Sequence, residues 1–144
     1  PKLVVVCYGL NDVHNGREGI DIFSSSLRGI FNKLKEKEIE TIYMSPNMMN
    51  TYVSNFLKGD LLINIAHKTA ELQNSGVMDF YMKTARDVCV EESITFCDCY
   101  QVWKNIYKAG ADVTLLLSNY INHPTREMHD IFAYSLFETI ISCN

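Results

Sequence analysis

The sequence predicts an α/β domain with a three-layer α/β/α arrangement around an open parallel sheet, and three observations carry that reading. Leu3-Val4-Val5-Val6 is an all-apolar run that passes directly into the polar loop Asn11-Asp12-Val13-His14. Such a run suits a strand covered on both faces, as in parallel sheets flanked by helices. Strand-like and helix-like periods then alternate along 144 residues without internal repeats or low-complexity linkers, which is how βαβ connections look in sequence. Finally, 47% of the residues are hydrophobic, enough to fill the core of a single domain over 1–144.

The elements follow in order. The first strand covers residues 3–8, and Gly16 and Gly19 punctuate the loop after it. Ile20, Phe23, Leu27, Ile30 and Leu34 recur at helical steps, an amphipathic helix reaching about Lys37. Residues 39–44 return to strand character, and Ser45-Pro46-Asn47 ends that strand as a turn. Residues 47–60, polar and methionine-rich, read as a mobile segment beside a cleft. A helical pattern resumes at Leu61 and runs to about Val90, broken near Asn74-Ser75-Gly76. Ile94-Thr95-Phe96-Cys97 is the third strand, with Asp98 at its carboxyl end. A short helix over 99–108 carries Trp103, and a last helix over about 126–141 buries Met128, Ile131, Phe132, Leu136 and Ile140.

This arrangement leaves one edge without a partner. A strand as apolar as residues 3–8 belongs inside a sheet, yet only two strands follow it. An exposed, flat, apolar edge invites association, so a preceding segment or another chain is expected to pair there.

Composition narrows the function classes. The net charge is −4 with no basic run and no arginine-aromatic pattern, which argues against nucleic acid as a partner. No apolar stretch approaches the ~20 residues that span a bilayer. Five scattered cysteines at 7, 89, 97, 99 and 143 do not form a disulfide framework and lean toward a reducing, cytoplasmic setting. A secretion signal on a longer chain stays open. Cys97-Asp98-Cys99 is not a metal-ligand spacing; strand alternation puts both sulfurs on one face, where buried packing is expected.

Two stretches carry chemistry. In open α/β sheets ligands bind where strand carboxyl ends meet loops, and there Gly9-Leu10-Asn11-Asp12 offers an amide donor and a carboxylate. Near the other end, Pro124 disfavours helical geometry at His123, which places the imidazole on an extended loop, with Thr125 as the N-cap of the following helix. His129 lies in that helix and reads as a structural residue under the site; His67 reads as a surface histidine on a helix.

Gly9-Leu10-Asn11-Asp12 at a strand end resembles the G-x-N-D block of the SGNH, or GDSL-type, hydrolases. His123-Pro124, with His129 six residues on, resembles that family's final D-x-x-H-P block. The resemblance runs from about residue 3 to residue 141, and it implies the flavodoxin-like SGNH fold, incomplete in this chain, and a serine esterase or acylhydrolase acting on a small ester or acetylated carbohydrate. It further implies that Asn11 donates to the oxyanion and that His123 is the general base, with Gly9, Asp12 and Asn122 in support and no cofactor or metal. The chemistry suits these roles: an amide aimed at developing negative charge is worth on the order of 3 kcal/mol, and imidazole is the proton acceptor best matched to neutral pH.

This chain departs from the family pattern twice. No G-D-S block occurs in it, and Ser24-Ser25-Ser26 falls inside a helix, where hydroxyls bond back to their own backbone. The serine is expected on a segment pairing with residues 3–8. Tyr120 also stands where the histidine-orienting acid belongs. Two other functions stay open on these grounds: a noncatalytic ligand- or partner-binding scaffold, and a metal-dependent phosphoesterase opened by the D-x-H spacing of Asp12 and His14. Tyr52, Phe56, Trp103 and Tyr120, within the loops expected to shape a pocket, are candidates to line it.

Overall fold

A computed structural model describes residues 1–142. Its elements are β1 (Leu3–Val6), α1 (Ile20–Lys35), β2 (Glu40–Met44), α2 (Asp60–Asn74), α3 (Val77–Glu91), β3 (Thr95–Cys97), α4 (Cys99–Lys108) and α5 (His129–Ser142). Cys143 lies outside the described residues. The sheet is parallel in the order β1-β2-β3, with Val6 opposite Tyr43 and Tyr43 opposite Phe96. The expected fold class is the observed one.

Alternation along the strands gives the sheet two apolar faces. Val4, Val6, Tyr43 and Phe96 face the main core, where Phe23, Leu27 and Phe31 of α1 meet Met78, Tyr81, Met82, Ala85 and Val88 of α3. Tyr43 anchors this face, stacked on Phe96 at 5.5 Å and edge-on to Phe31 at 6.4 Å. Leu3, Ile42, Met44 and Cys97 face the other way, toward Phe132 and Leu136 of α5. Gly76, at φ 77°, makes the break between α2 and α3 that the sequence signals.

β1 pairs only with β2, so it is an edge strand, and Val5 is 37% exposed. The unpartnered edge is the one the strand count requires, while the exposed Val5 shows that one face of β1 is only partly covered where both faces were expected to be. The Lys2 carbonyl accepts from Glu40 N. Because alternate residues of a parallel strand turn their backbone groups to the same neighbour, Leu3, Val5 and Cys7 direct theirs to the open edge.

Three further expectations are corrected. Residues 47–50 are not an open polar segment: Met48 and Met49 enter the core, and Asn50 is buried with its amide on the carbonyls of Tyr52 and Ala66. Trp103 is fully buried in the main core rather than lining a pocket. The last helix starts at His129, after a turn over 126–128, and its apolar residues are half-buried or exposed rather than buried. Asp98 ends β3 and caps α4, accepting from Gln101 N at 3.0 Å. No helix among the described residues is long and apolar enough to cross a membrane.

Trp103 lies in the main core, and Trp103→Ala is expected to cost about 3–5 kcal/mol of unfolding free energy. Urea denaturation followed by circular dichroism checks this.

Candidate functional site at the carboxyl edge of the sheet

The turn after β1 is built residue by residue. The Tyr43 hydroxyl donates to the Tyr8 carbonyl at 2.6 Å, and burial pushes that phenol well above its usual range. Gly9 follows at φ +111°, with Met82 Cε only 2.7 Å from where a Cβ would sit. The chain can reverse here only because glycine tolerates both the angle and the close approach. Gly9 N donates to Asp12 Oδ2 at 3.1 Å, and Val13 N donates to the Gly9 carbonyl at 3.1 Å. Val13, wholly buried, anchors a single 3-10 turn over Asp12–Asn15, and the Tyr81 hydroxyl holds the Gly16 carbonyl at 2.8 Å. Gly9 and Asp12 are therefore spent on the turn itself. Asn11 stands at its N-terminal position, exposed, and its carboxamide makes no hydrogen bond among the described residues.

The His123 loop is built around a neighbouring asparagine. Asn119 Oδ1 accepts from the backbone N–H groups of Ile121, Asn122 and His123 at 2.9–3.1 Å, and its Nδ2 donates to Asn122 Oδ1. Ser118 donates to the His123 carbonyl from both its backbone and its hydroxyl, and Leu117 bridges to Pro124. Asn47, buried at the end of β2, donates to the Asn122 carbonyl at 2.9 Å, and Asn50 N donates to Ile121 O at 2.8 Å. The loop is thus tied to the sheet end that carries Asn11, and the imidazole is exposed, with no hydrogen bond or ion pair among the described residues.

Tyr120 does not act as the missing acid. It adopts a left-handed conformation at φ 56°, and its ring stacks on Phe56 at 5.3 Å, beside Leu57 and Ile121. Tyr52 donates to Asp112 at 2.7 Å instead of shaping a pocket with them.

A cavity of about 360 Å³ opens at this edge, walled by Cys7, Leu10, Met44, Pro124 and Phe132, with Asn11, Asn47 and His129 as its polar groups. Its volume falls at the small end of ligand sites. His123 is not among its walls, but the adjoining Pro124 is. His129 is not simply packed beneath the site as the sequence suggested. It is exposed at the cavity, and because a carbonyl only accepts, Nδ1 carries the proton given to Thr125 O at 2.9 Å, which leaves Nε2 turned to the cavity's surroundings without a hydrogen-bond partner among the described residues. Cys7 also lines the cavity; the residue as a whole is exposed, but neighbouring atoms desolvate its sulfur and, with the nearby Cys97, raise its thiol above the usual value. Sequence reasoning missed Asn47, although its place at a strand's carboxyl end was a usable signal.

A smaller cleft of about 180 Å³ lies between α3 and α4, but its charges are paired, Arg86 with Asp98, Lys104 with Asp79 and Lys83 with Asp87. The carboxyl-edge cavity instead holds one unspent donor among the described residues, the Asn11 amide. Among the described residues no group of three His, Cys, Asp or Glu side chains is placed to hold a metal ion, and Asp12 is turned back onto Gly9. His67 is exposed on α2.

No protein-family model matches the sequence, and comparison with curated proteins finds no match. Among solved structures, the acetylxylan esterase Axe2 from Geobacillus stearothermophilus is similar with a TM-score of 0.68 at 19% identity, over 97% of this chain and 59% of that one. The acetyl xylan esterase AlAXEase is similar with a TM-score of 0.70 at 16% identity, over 97% of this chain and 67% of that one. The chain thus shares the α/β fold of these two esterases, with its parallel sheet, and spans about three fifths of the length of Axe2.

Two outcomes follow from the turn. Gly9→Ala is expected to destabilise by about 1–3 kcal/mol, through the positive φ and the Met82 contact, measurable by thermal unfolding. His14, whose pKa burial and then Lys68 lower, is favoured neutral in the folded state. Its contribution to stability is therefore complete above the ordinary imidazole range and is lost as pH falls through that range, where the unfolded chain binds more protons. His14→Gln is expected to flatten this portion of a stability-versus-pH curve, and an unchanged curve would contradict it.

Proposed function

We propose that this chain is the larger part of a serine ester hydrolase of the SGNH type, acting on a small ester or acetylated carbohydrate, with the nucleophilic serine on a segment that pairs with the open edge of β1. The observation that carries the reading is the unbonded Asn11 amide, set beside a cavity whose far wall is the loop bearing His123 and Pro124. The unpaired edge beside Cys7 supports the position of the serine, since a strand added there ends next to Asn11. The fold shared with two acetylxylan esterases supports the reaction class, and the largely apolar cavity suits a short acyl group.

In this reading the serine oxygen attacks the ester carbonyl while His123 takes its proton. Asn11 Nδ2–H donates to the oxyanion of the tetrahedral intermediate, and the imidazolium then returns the proton to the leaving alcohol. Water, activated by the same imidazole, releases the acid and restores the serine. With Tyr120 turned onto Phe56, no carboxylate among the described residues orients the histidine; a serine–histidine dyad does the work, and the Asn119 hub fixes the loop backbone. Gly9, Asp12 and Asn122 act through the backbone, by holding the Asn11 turn and the His123 loop.

The test is turnover of p-nitrophenyl acetate by the protein that includes the β1-pairing segment. His123→Ala is expected to abolish activity and Asn11→Ala to lower kcat by about a hundredfold or more. The 144-residue chain alone is expected to be inactive. Full activity in the His123→Ala protein would reject the base, and tight ester binding without turnover would favour a noncatalytic scaffold, the reading that Tyr120 at the acid position also favours.

A further inference from the structure

The cysteine pair at the end of β3 is used by neither the fold's main core nor the candidate site. β3 ends at Cys97 and α4 begins at Cys99, and Asp98 between them has φ −92° and ψ 72°. These angles lie near the inverse γ-turn, which folds three consecutive residues back on themselves. The strand alternation expected from sequence therefore stops at Cys97, yet the two sulfurs still meet, at 3.8 Å, both fully buried. Ile42 and Phe132 pack against them, while Thr139 and Ser135 of α5 turn hydroxyls toward Cys97 and Cys99 respectively. The contact with Cys99 draws the Cys97 thiol below the ordinary range against the opposing effect of burial, and the same contact, then burial, pushes Cys99 up; the Thr139 hydroxyl gives its own proton to the Ser135 carbonyl at 2.7 Å. The pair is asymmetric, the contact favouring ionisation of Cys97 over Cys99.

We propose that Cys97 and Cys99 form a reversible dithiol–disulfide pair that hydrogen peroxide oxidises. The Cys97 thiolate attacks a peroxide oxygen, the O–O bond breaks, and a sulfenic acid forms with release of hydroxide, which takes up the proton Cys97 gave up. The Cys99 sulfur then attacks the Cys97 sulfur, and the hydroxyl leaves as water with the Cys99 proton. Two thiols and one peroxide become one disulfide and two waters, and an added dithiol reverses the change. Closing the bond needs the sulfurs to approach from 3.8 Å to about 2.05 Å, a side-chain movement within a turn already folded back. The cover over the pair is α5, which has no buried residue among those described, so admitting a molecule little larger than water requires less than opening α1 or α3. The disulfide would enclose Asp98, which caps α4 and takes hydrogen bonds from Ser45 and Arg86, and would stiffen the same carboxyl edge that carries the cavity.

The experiment treats the folded chain with hydrogen peroxide, quenches, unfolds, alkylates with iodoacetamide and maps the peptides by mass. The peptide with Cys97 and Cys99 is expected to lose two hydrogens, to escape alkylation and to recover with dithiothreitol. Cys89, whose thiol burial pushes up to about 12, is the internal control and is expected to oxidise at least about tenfold more slowly, as thiolate control of reactivity requires. In Cys99→Ser the reaction is expected to stop at a sulfenic acid on Cys97 that dimedone traps. Oxidation confined to the exposed Cys7, with Cys97 and Cys99 fully alkylated afterwards, overturns the proposal. So does a disulfide that joins either of them to Cys7. The wild-type map decides the matter even if the serine variant does not fold.

Discussion

Everything at the carboxyl edge depends on how β1 is stopped. A strand of four apolar residues has no reason of its own to end at Val6, and what ends it is the reversal at Gly9, wedged against Met82, Phe23 and Tyr43. The Tyr43 hydroxyl on Tyr8, Asp12 on Gly9 and Tyr81 on Gly16 fasten that reversal from three directions. Two of these three groups are tyrosines of the main core, so the position of Asn11 is set by packing between the sheet and α3 rather than by the loop alone. The backbone that carries this exposed asparagine is thus fixed, so a ligand has only its side chain to order, which favours an effective electrostatic donor.

The second support is Asn119. One side-chain oxygen takes three backbone N–H groups, and the loop it shapes is fastened to the end of β2 through Asn47 and Asn50. The two halves of the candidate site, far apart in sequence, are thus both hung from adjacent parallel strands. In a parallel sheet all carboxyl ends lie at one edge, and that topology by itself assembles what the sequence separates. The open side of β1 completes the picture: backbone groups of Leu3, Val5 and Cys7 point outward beside the cavity, and an added strand would extend the same edge by one position.

Much of this was legible in the sequence, and the exceptions have physical causes. The order of elements, the amphipathic α1, the α2–α3 break at Gly76 and the parallel sheet followed from periodicity and turn residues. The Asn11 turn and the extended His123 loop followed from glycine, proline and strand-end logic. Residues 47–50 were misread because polar side chains signal exposure only when nothing inside can satisfy them, and here backbone carbonyls do. The burial assigned to α5 was too deep because its pattern is apolar on all sides, so the sequence alone does not fix which side packs. Asn119 and His129 carry roles that depend on loop geometry, which no spacing rule encodes. The meeting of Cys97 and Cys99 was anticipated from the wrong element, since a γ-turn rather than a strand brings them together.

The most direct measurement is a crystal structure of the protein that includes the β1-pairing segment, after reaction with a phosphonate ester that mimics the tetrahedral intermediate. The phosphoryl oxygen is expected at about 2.7–3.1 Å from Asn11 Nδ2, with the His123 imidazole in hydrogen-bond reach of the serine oxygen and the acyl mimic in the cavity walled by Leu10, Pro124 and Phe132. A phosphonate bound elsewhere, or one whose oxygen is turned away from Asn11 while His123 stays in solvent, would contradict the site.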